Sequence, residues 1–276
     1  MQNFKKALYL WWNNDPSSSG AALAFYALFS LPPILIIVVV IAGFYAPAEL
    51  VQGRVVVELQ QIFGYQAGEA LVYFVRESYE STSSLLTVIA TIITILIGSL
   101  GIFGQLQISL NRLWGTDITR YGFKGFIHSQ FTAFVMIFLL GVILTFSLTA
   151  STAVSVFDTT ARGIFSYGVD IVKYVDIIIS FVLVVFLCMS IYAFIPHTRV
   201  SRHAIIQGGV ITAILFFIGR LIIGIYLSWG ISSSAYGAAS TLIILMLWIY
   251  YSSQVLLFGA ALTYVIDRNI KKDNLS

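Results

Sequence analysis

The sequence predicts an all-α, polytopic membrane protein of six transmembrane helices, a single membrane domain over residues 1–276, and three observations carry that reading. Hydrophobic residues make up 59% of the chain and charged residues only 10%, where a soluble domain has about 25% charged. Stretches free of Asp, Glu, Lys and Arg run over 16–48, 81–111, 125–157, 177–196, 203–219 and 221–266, and a span needs about 20 apolar residues. The basic residues are also unevenly shared between the two sides. Lys5, Lys6, Arg112, Arg120, Lys124, Arg199, Arg202, Arg268, Lys271 and Lys272 fall on one side, and only Arg54, Arg76, Arg162 and Lys173 on the other. Positive residues stay in the cytoplasm, so both termini are expected there.

Residues 1–14 read as an interfacial helix, with Phe4, Leu8, Trp11 and Trp12 at helical spacing around Lys5 and Lys6. The first span, 20–45, opens with Asp15 as N-cap and Pro16 at the first helical position. Pro32 and Pro33 then cannot donate to the carbonyls of Leu28 and Phe29, and a break in the helix is expected there. The freed acceptors must face protein or water. Two explanations fit: a kink repaired by neighbours or by hydroxyls such as Ser30, or a broken helix lining a cavity, as in many transporters.

The outward segment 49–80 is acidic, with Glu49, Glu58, Glu69, Glu77 and Glu80 beside Arg54 and Arg76, and its apolar spacing predicts two short amphipathic helices. The second span, 84–107, sets Gly98, Gly101 and Gly104 along one side for close helix contact. Gln105 and Gln107 follow, and "SLNRLWG" closes the helix with Asn111, Arg112 and an interfacial Trp114. The third and fourth spans are 130–155 and 173–195; the fourth holds Cys188, the sole cysteine, so no internal disulfide is possible.

The fifth span, 204–227, carries Arg220, the one charge well inside a predicted helix. Gly208, Thr212, Phe216, Arg220 and Gly224 recur every fourth residue, so the arginine shares a face with small and weakly polar groups. It faces a cavity, snorkels outward, or pairs with Asp170 or Asp176. After the turn "SWGISSSAYG" (228–237), the sixth span, 238–265, contains Tyr250 and Gln254. Gln254 either bridges helices or touches a ligand. Residues 267–276 form a cytoplasmic tail.

Taken in order, "DPSSSGAALAFYALFSLPP", "SLNRLWG", "IYAFIPHTRVSRHAIIQGG", "YGAAS" and "LWIYYSSQVLLFGAAL" resemble the YihY/BrkB family over nearly the whole chain. The resemblance implies a bacterial inner-membrane, multi-pass protein, and some members carry labels for serum resistance or ribonuclease BN. The matching positions are Ser30, Pro33, Asn111, Trp114, Tyr192, Pro196, Gly208, Tyr226, Tyr236, Gly237, Trp248, Gly259 and Ala260. The family's closing motif commonly reads Gly-Ala-Glu; this chain has Ala261 instead of the carboxylate.

Metal-dependent phosphodiester cleavage requires clustered ligands, and Asp15, Asp117, Asp267, Asp273, His128, His197 and His203 are dispersed over different segments. Ribonuclease chemistry is therefore not expected, nor any enzyme activity, metal, cofactor or nucleic-acid partner. No carboxylate lies within the six cores, which argues against a carboxylate proton relay.

The expected function is a transporter or lipid translocator whose cavity is walled by the first, second, fifth and sixth spans. Arg220 would attract an anionic or amphipathic substrate, with Ser30, Gln105, Tyr226, Tyr250 and Gln254 as polar contacts. Pro32, Pro33, Asn111, Trp114, Pro196, Gly208, Gly237 and Gly259 are structural or hinge positions. Membrane lipids are the expected partners. The alternative is a non-transporting scaffold for envelope assembly or resistance.

Overall fold

Helix starts and stops follow local chemistry that the sequence carries. The computed structural model describes residues 2–43, 101–116, 131, 135, 142, 171–196, 198, 200–228 and 239–273. Helix α1 is Gln2–Asn13, α2 is Pro16–Gly43, and α3 is helical over 101–113. Then come α4 (Ile171–Phe194), α5 (Arg202–Ser228) and α6 (Ala239–Asp273), with no strand among the described residues.

Helices α2, α4, α5 and α6 fall on the predicted spans 20–45, 173–195, 204–227 and 238–265. Ile177–Phe194, Arg202–Ile223 and Leu245–Lys272 are each long and apolar enough to cross a membrane. Helix α3 holds the end of the predicted second span; of the third, only Phe131, Val135 and Val142 are described, each helical. The acidic segment 49–80 and Gly237 lie outside the described residues. Of the expected tail 267–276, residues to Asp273 continue the helix α6.

Asp15 serves two helices at once. Its backbone is left-handed, with φ 50°, which ends α1, and its Oδ1 accepts from the Ser18 amide at 3.4 Å at the start of α2. Helix α3 ends in a Schellman turn: Gly115 adopts φ 65°, its amide bonds to Arg112 O at 3.1 Å, and Thr116 N reaches Asn111 O at 2.9 Å.

The expected break at Pro32 and Pro33 is corrected by α2, which is helical without interruption from Pro16 to Gly43. Proline's fixed φ suits a helix; the pair removes two donors without forcing the backbone out of helical geometry. The carbonyls of Leu28 and Phe29 still lose their intrahelical partners.

Helix α6 is the hub of the described bundle, packing against α1, α2 and α5, while α4 packs chiefly on α5. Leu245, Trp248, Leu257, Ala260, Ala261 and Leu262 are nearly inaccessible. The outer surfaces are equally apolar: Ile177, Ile178, Val182 and Phe186 of α4 and Ile214, Ile218, Leu221, Ile222 and Ile225 of α5 are exposed, as a lipid-facing surface would be.

Candidate functional site

Apolar residues cannot decide which helix faces meet when the solvent is also apolar; small residues and hydrogen bonds do. Two copies of one motif join α5 to α6: Gly208 with Thr212 four residues on, and Gly259 with Thr263 four residues on. The helices run antiparallel and the motifs interlock. A Cβ on Gly208 would strike the Thr263 hydroxyl, and one on Gly259 would strike both the Thr212 and the Tyr192 hydroxyls. Each threonine hydroxyl turns back to its own helix, Thr212 Oγ1 to Gly208 O at 2.7 Å and Thr263 Oγ1 to Gly259 O at 2.8 Å.

Tyr192 of α4 closes this seam. Its fully buried hydroxyl lies 2.8 Å from Leu256 O and 2.9 Å from Thr212 Oγ1. Tyr192 and Thr212 have two hydroxyl protons for three contacts, so either hydroxyl donates to the other only when it releases its own carbonyl, Leu256 O or Gly208 O. Three helices are joined without a charge.

Below the seam, Ser201 caps α5 through an Ala204 N to Ser201 Oγ bond of 3.4 Å. The Ser201 amide in turn donates to Asp267 Oδ1 of α6 at 2.7 Å, and Lys271 Nζ sits 2.6 Å from Asp267 Oδ2. A buried carboxylate at the positive end of α5 is electrostatically well placed. The sequence reading treated Asp267 as one of several dispersed acids and missed this role.

Trp114 is buried rather than anchored in the interface: its Nε1 donates to Ala260 O at 3.1 Å and its ring stacks on Tyr264. Asn111 is fully buried beside it in sequence, and Pro196 is buried just after α4. Ala261, where the resembled family commonly has glutamate, is itself wholly enclosed. Among the described residues no three metal-ligating side chains converge, and His203 is exposed.

Of the proposed polar contacts, Gln254 and Gln105 have described partners, on different helices. Gln254 Nε2 donates to Pro16 O at 2.8 Å, tying α6 to the first turn of α2, where a Cβ on Gly20 would strike its amide and approach the Tyr250 ring. Its Oε1 is buried and has no partner among the described residues. Gln105 Nε2 lies 3.4 Å from Ser109 Oγ within α3. Ser30, Pro32, Pro33 and Tyr226 occupy helical backbone, but their side chains lie outside the description.

Arg220 is half-buried in α5. At 100° per residue it falls on the side of the helix away from Ile214, Ile218, Leu221, Ile222 and Ile225, so it faces the bundle. One turn before it, Phe216 meets Trp248 edge-on at 5.2 Å, and Tyr251 OH donates to Leu215 O at 3.0 Å. Trp248 is 1% exposed, and its indole N–H has no acceptor among the described residues. No described side chain forms an ion pair with Arg220, and those of Asp170 and Asp176 lie outside the described residues. The guanidinium thus lies one turn beyond Phe216, which meets an indole donor that has no acceptor among the described residues.

The profile of the family described as Virulence factor BrkB matches residues 7–275. A "UPF0761 membrane protein" of Psychromonas ingrahamii is 33% identical over 184 residues, which covers 64% of this chain and 59% of that relative. One from Actinobacillus pleuropneumoniae is 26% identical over 217 residues, 78% of this chain and 75% of its own length. A Pseudomonas aeruginosa namesake is 43% identical over 74 residues, 26% of this chain and 18% of its own. No solved structure matches the chain.

Proposed function

The chain belongs to the Virulence factor BrkB family of membrane proteins, and from that premise we propose that it carries an anionic or amphipathic substrate, lipids included, across the bacterial inner membrane. The observation that carries this reading is Arg220. It lies about eight residues, roughly 12 Å, inside the end of α5 and faces the bundle. A half-buried guanidinium with no countercharge among the described residues is costly, and intramembrane charges so placed usually mark a substrate path. The indole N–H of Trp248, whose ring meets Phe216 one turn before Arg220, adds a second donor. An anionic group passing there would satisfy both.

In this reading the seam of Gly208, Thr212, Gly259, Thr263 and Tyr192 is the closed side of the path. It is too tightly filled to conduct, so passage requires α5 and α6 to part there. Such a change fits alternating access between two arrangements of helices.

The test is flux in reconstituted liposomes, using fluorescent phosphatidylglycerol for scrambling and a small organic anion for transport. Arg220→Leu is expected to cut the rate at least tenfold and Arg220→Lys to retain part of it, with unchanged folding. A wild-type protein that moves neither probe, or a leucine variant as fast as wild type, overturns the proposal. The interlocked seam equally suits a rigid scaffold for envelope proteins, and a scaffold would tolerate Arg220→Leu.

A further inference from the structure

Where α1 crosses the last turns of α6, the two helices leave an open groove of about 500 Å³. Lys5 and Lys6 of α1 and Arg268 and Lys272 of α6 line it, with Tyr9 and Tyr264, and no carboxylate among the described residues does. Asp267, next to Arg268 in sequence, is buried and already holds Ser201 and Lys271. Four cations from two helices thus converge on one concavity and concentrate positive potential there.

The groove is held in shape. Asn269 Nδ2 donates to Asn3 Oδ1 at 2.8 Å across the helix pair, and Phe4 and Trp11 of α1 pack edge-on against Phe258. The Arg268 guanidinium carbon lies 5.1 Å over the Tyr264 ring, which fixes its head group. Topogenic charge alone needs no such convergence, since it acts through position along the chain.

Its depth suits a lipid headgroup. Helix α6 has 35 residues, about 52 Å at 1.5 Å per residue, against a hydrocarbon core of about 30 Å. Its final turns therefore stand in the headgroup layer. Beside the groove, α1 exposes Leu8, Tyr9 and Trp12, side chains that favour the boundary between headgroups and acyl chains.

We propose that this groove binds the phosphate headgroup of an anionic phospholipid, which bridges α1 to the end of α6. A phosphate diester accepts from several cations at once, and its acyl chains would run past Leu8 and Trp12. This site is independent of the transport reading, and either can fail without the other.

The test is thermal unfolding of the full chain in detergent, titrated with phosphatidylglycerol, phosphatidylcholine or inorganic phosphate. Phosphatidylglycerol alone should raise Tm, by several degrees. Lys6→Gln/Lys272→Gln should require roughly tenfold more lipid or beyond for the same shift, given how strongly each cation contributes near an anionic surface. Arg112→Gln, an exposed cation outside the groove, should respond as wild type. If the double variant does not fold, Lys5→Gln should show the same trend at several-fold. No response to phosphatidylglycerol, an equal response in the groove variants, or an equal shift with inorganic phosphate overturns the proposal.

Discussion

Helix α5 divides into two stretches that differ in what surrounds them. Over 204–213 it buries Ala204, Thr212 and Ala213 and interlocks with α6 through Gly208. Over 214–225 it exposes Ile214, Ile218, Leu221, Ile222 and Ile225 and keeps Arg220 half-buried. Both stretches are apolar enough for a membrane. The first stretch locks to α6 through paired glycines and threonines; the second meets α6 through Gly219, against which Tyr251 packs, and turns bulky aliphatics outward. In a lipid solvent, contact is specified by the residues that allow close approach, because burying another isoleucine gains little over leaving it in acyl chains.

The strongest way to break this contrast is to fill the seam. Gly259→Leu drives a side chain into the Thr212 and Tyr192 hydroxyls and should destabilise by about 3 kcal/mol or prevent folding, visible as aggregation on size exclusion. A variant that melts with wild type would mean the helices are not this close. Next is Asp267→Ala, which leaves the Ser201 amide unpaired in a partly buried site. A loss of about 2 kcal/mol is expected in denaturant unfolding, and no loss would deny the clasp between α5 and α6.

Tyr192→Phe removes only the hydroxyl and should cost about 1 kcal/mol. A double-mutant cycle with Thr212→Val should reveal coupling of roughly 0.6 kcal/mol, and strict additivity would argue against their bond. The smallest effect belongs to the second stretch: Leu221→Ala should change unfolding by no more than about 0.5 kcal/mol. A cost near that of Gly259→Leu would show that Leu221 meets protein rather than lipid.

Much of the helix layout was legible in the chain. Asp15 and Pro16 marked the start of α2, and "SLNRLWG" marked the end of α3, because caps and glycine turns act within a few residues. The proline pair misled because it carries a local cost that a continuous helix can bear. Trp114 misled for a different reason. Tryptophan near a span end suits the interface, and only the arrival of Ala260 and Tyr264 from α6 made it a buried bolt. Asp267 and Ser201 are 66 residues apart, a pairing no local pattern announces.

Gly208 was noted for its spacing by fours with Arg220, but at 100° per residue the two lie about 120° apart and Gly208 meets Thr263 of α6, a partner with no visible signal except the repeated Gly-x-x-x-Thr spacing. For the candidate site, Arg220 falls opposite the exposed aliphatics of α5, while Gln105 and Gln254 turned to bonds within and between helices.

Sequence alone determined that the chain is helical, apolar and membrane-spanning, since run length and the shortage of charge settle how backbone groups can be satisfied in lipid. Tertiary structure decided which faces lock and which stay open. Interior and surroundings are alike in polarity there, so the choice falls to shape, to a few hydroxyls and to one carboxylate brought together from distant parts of the chain.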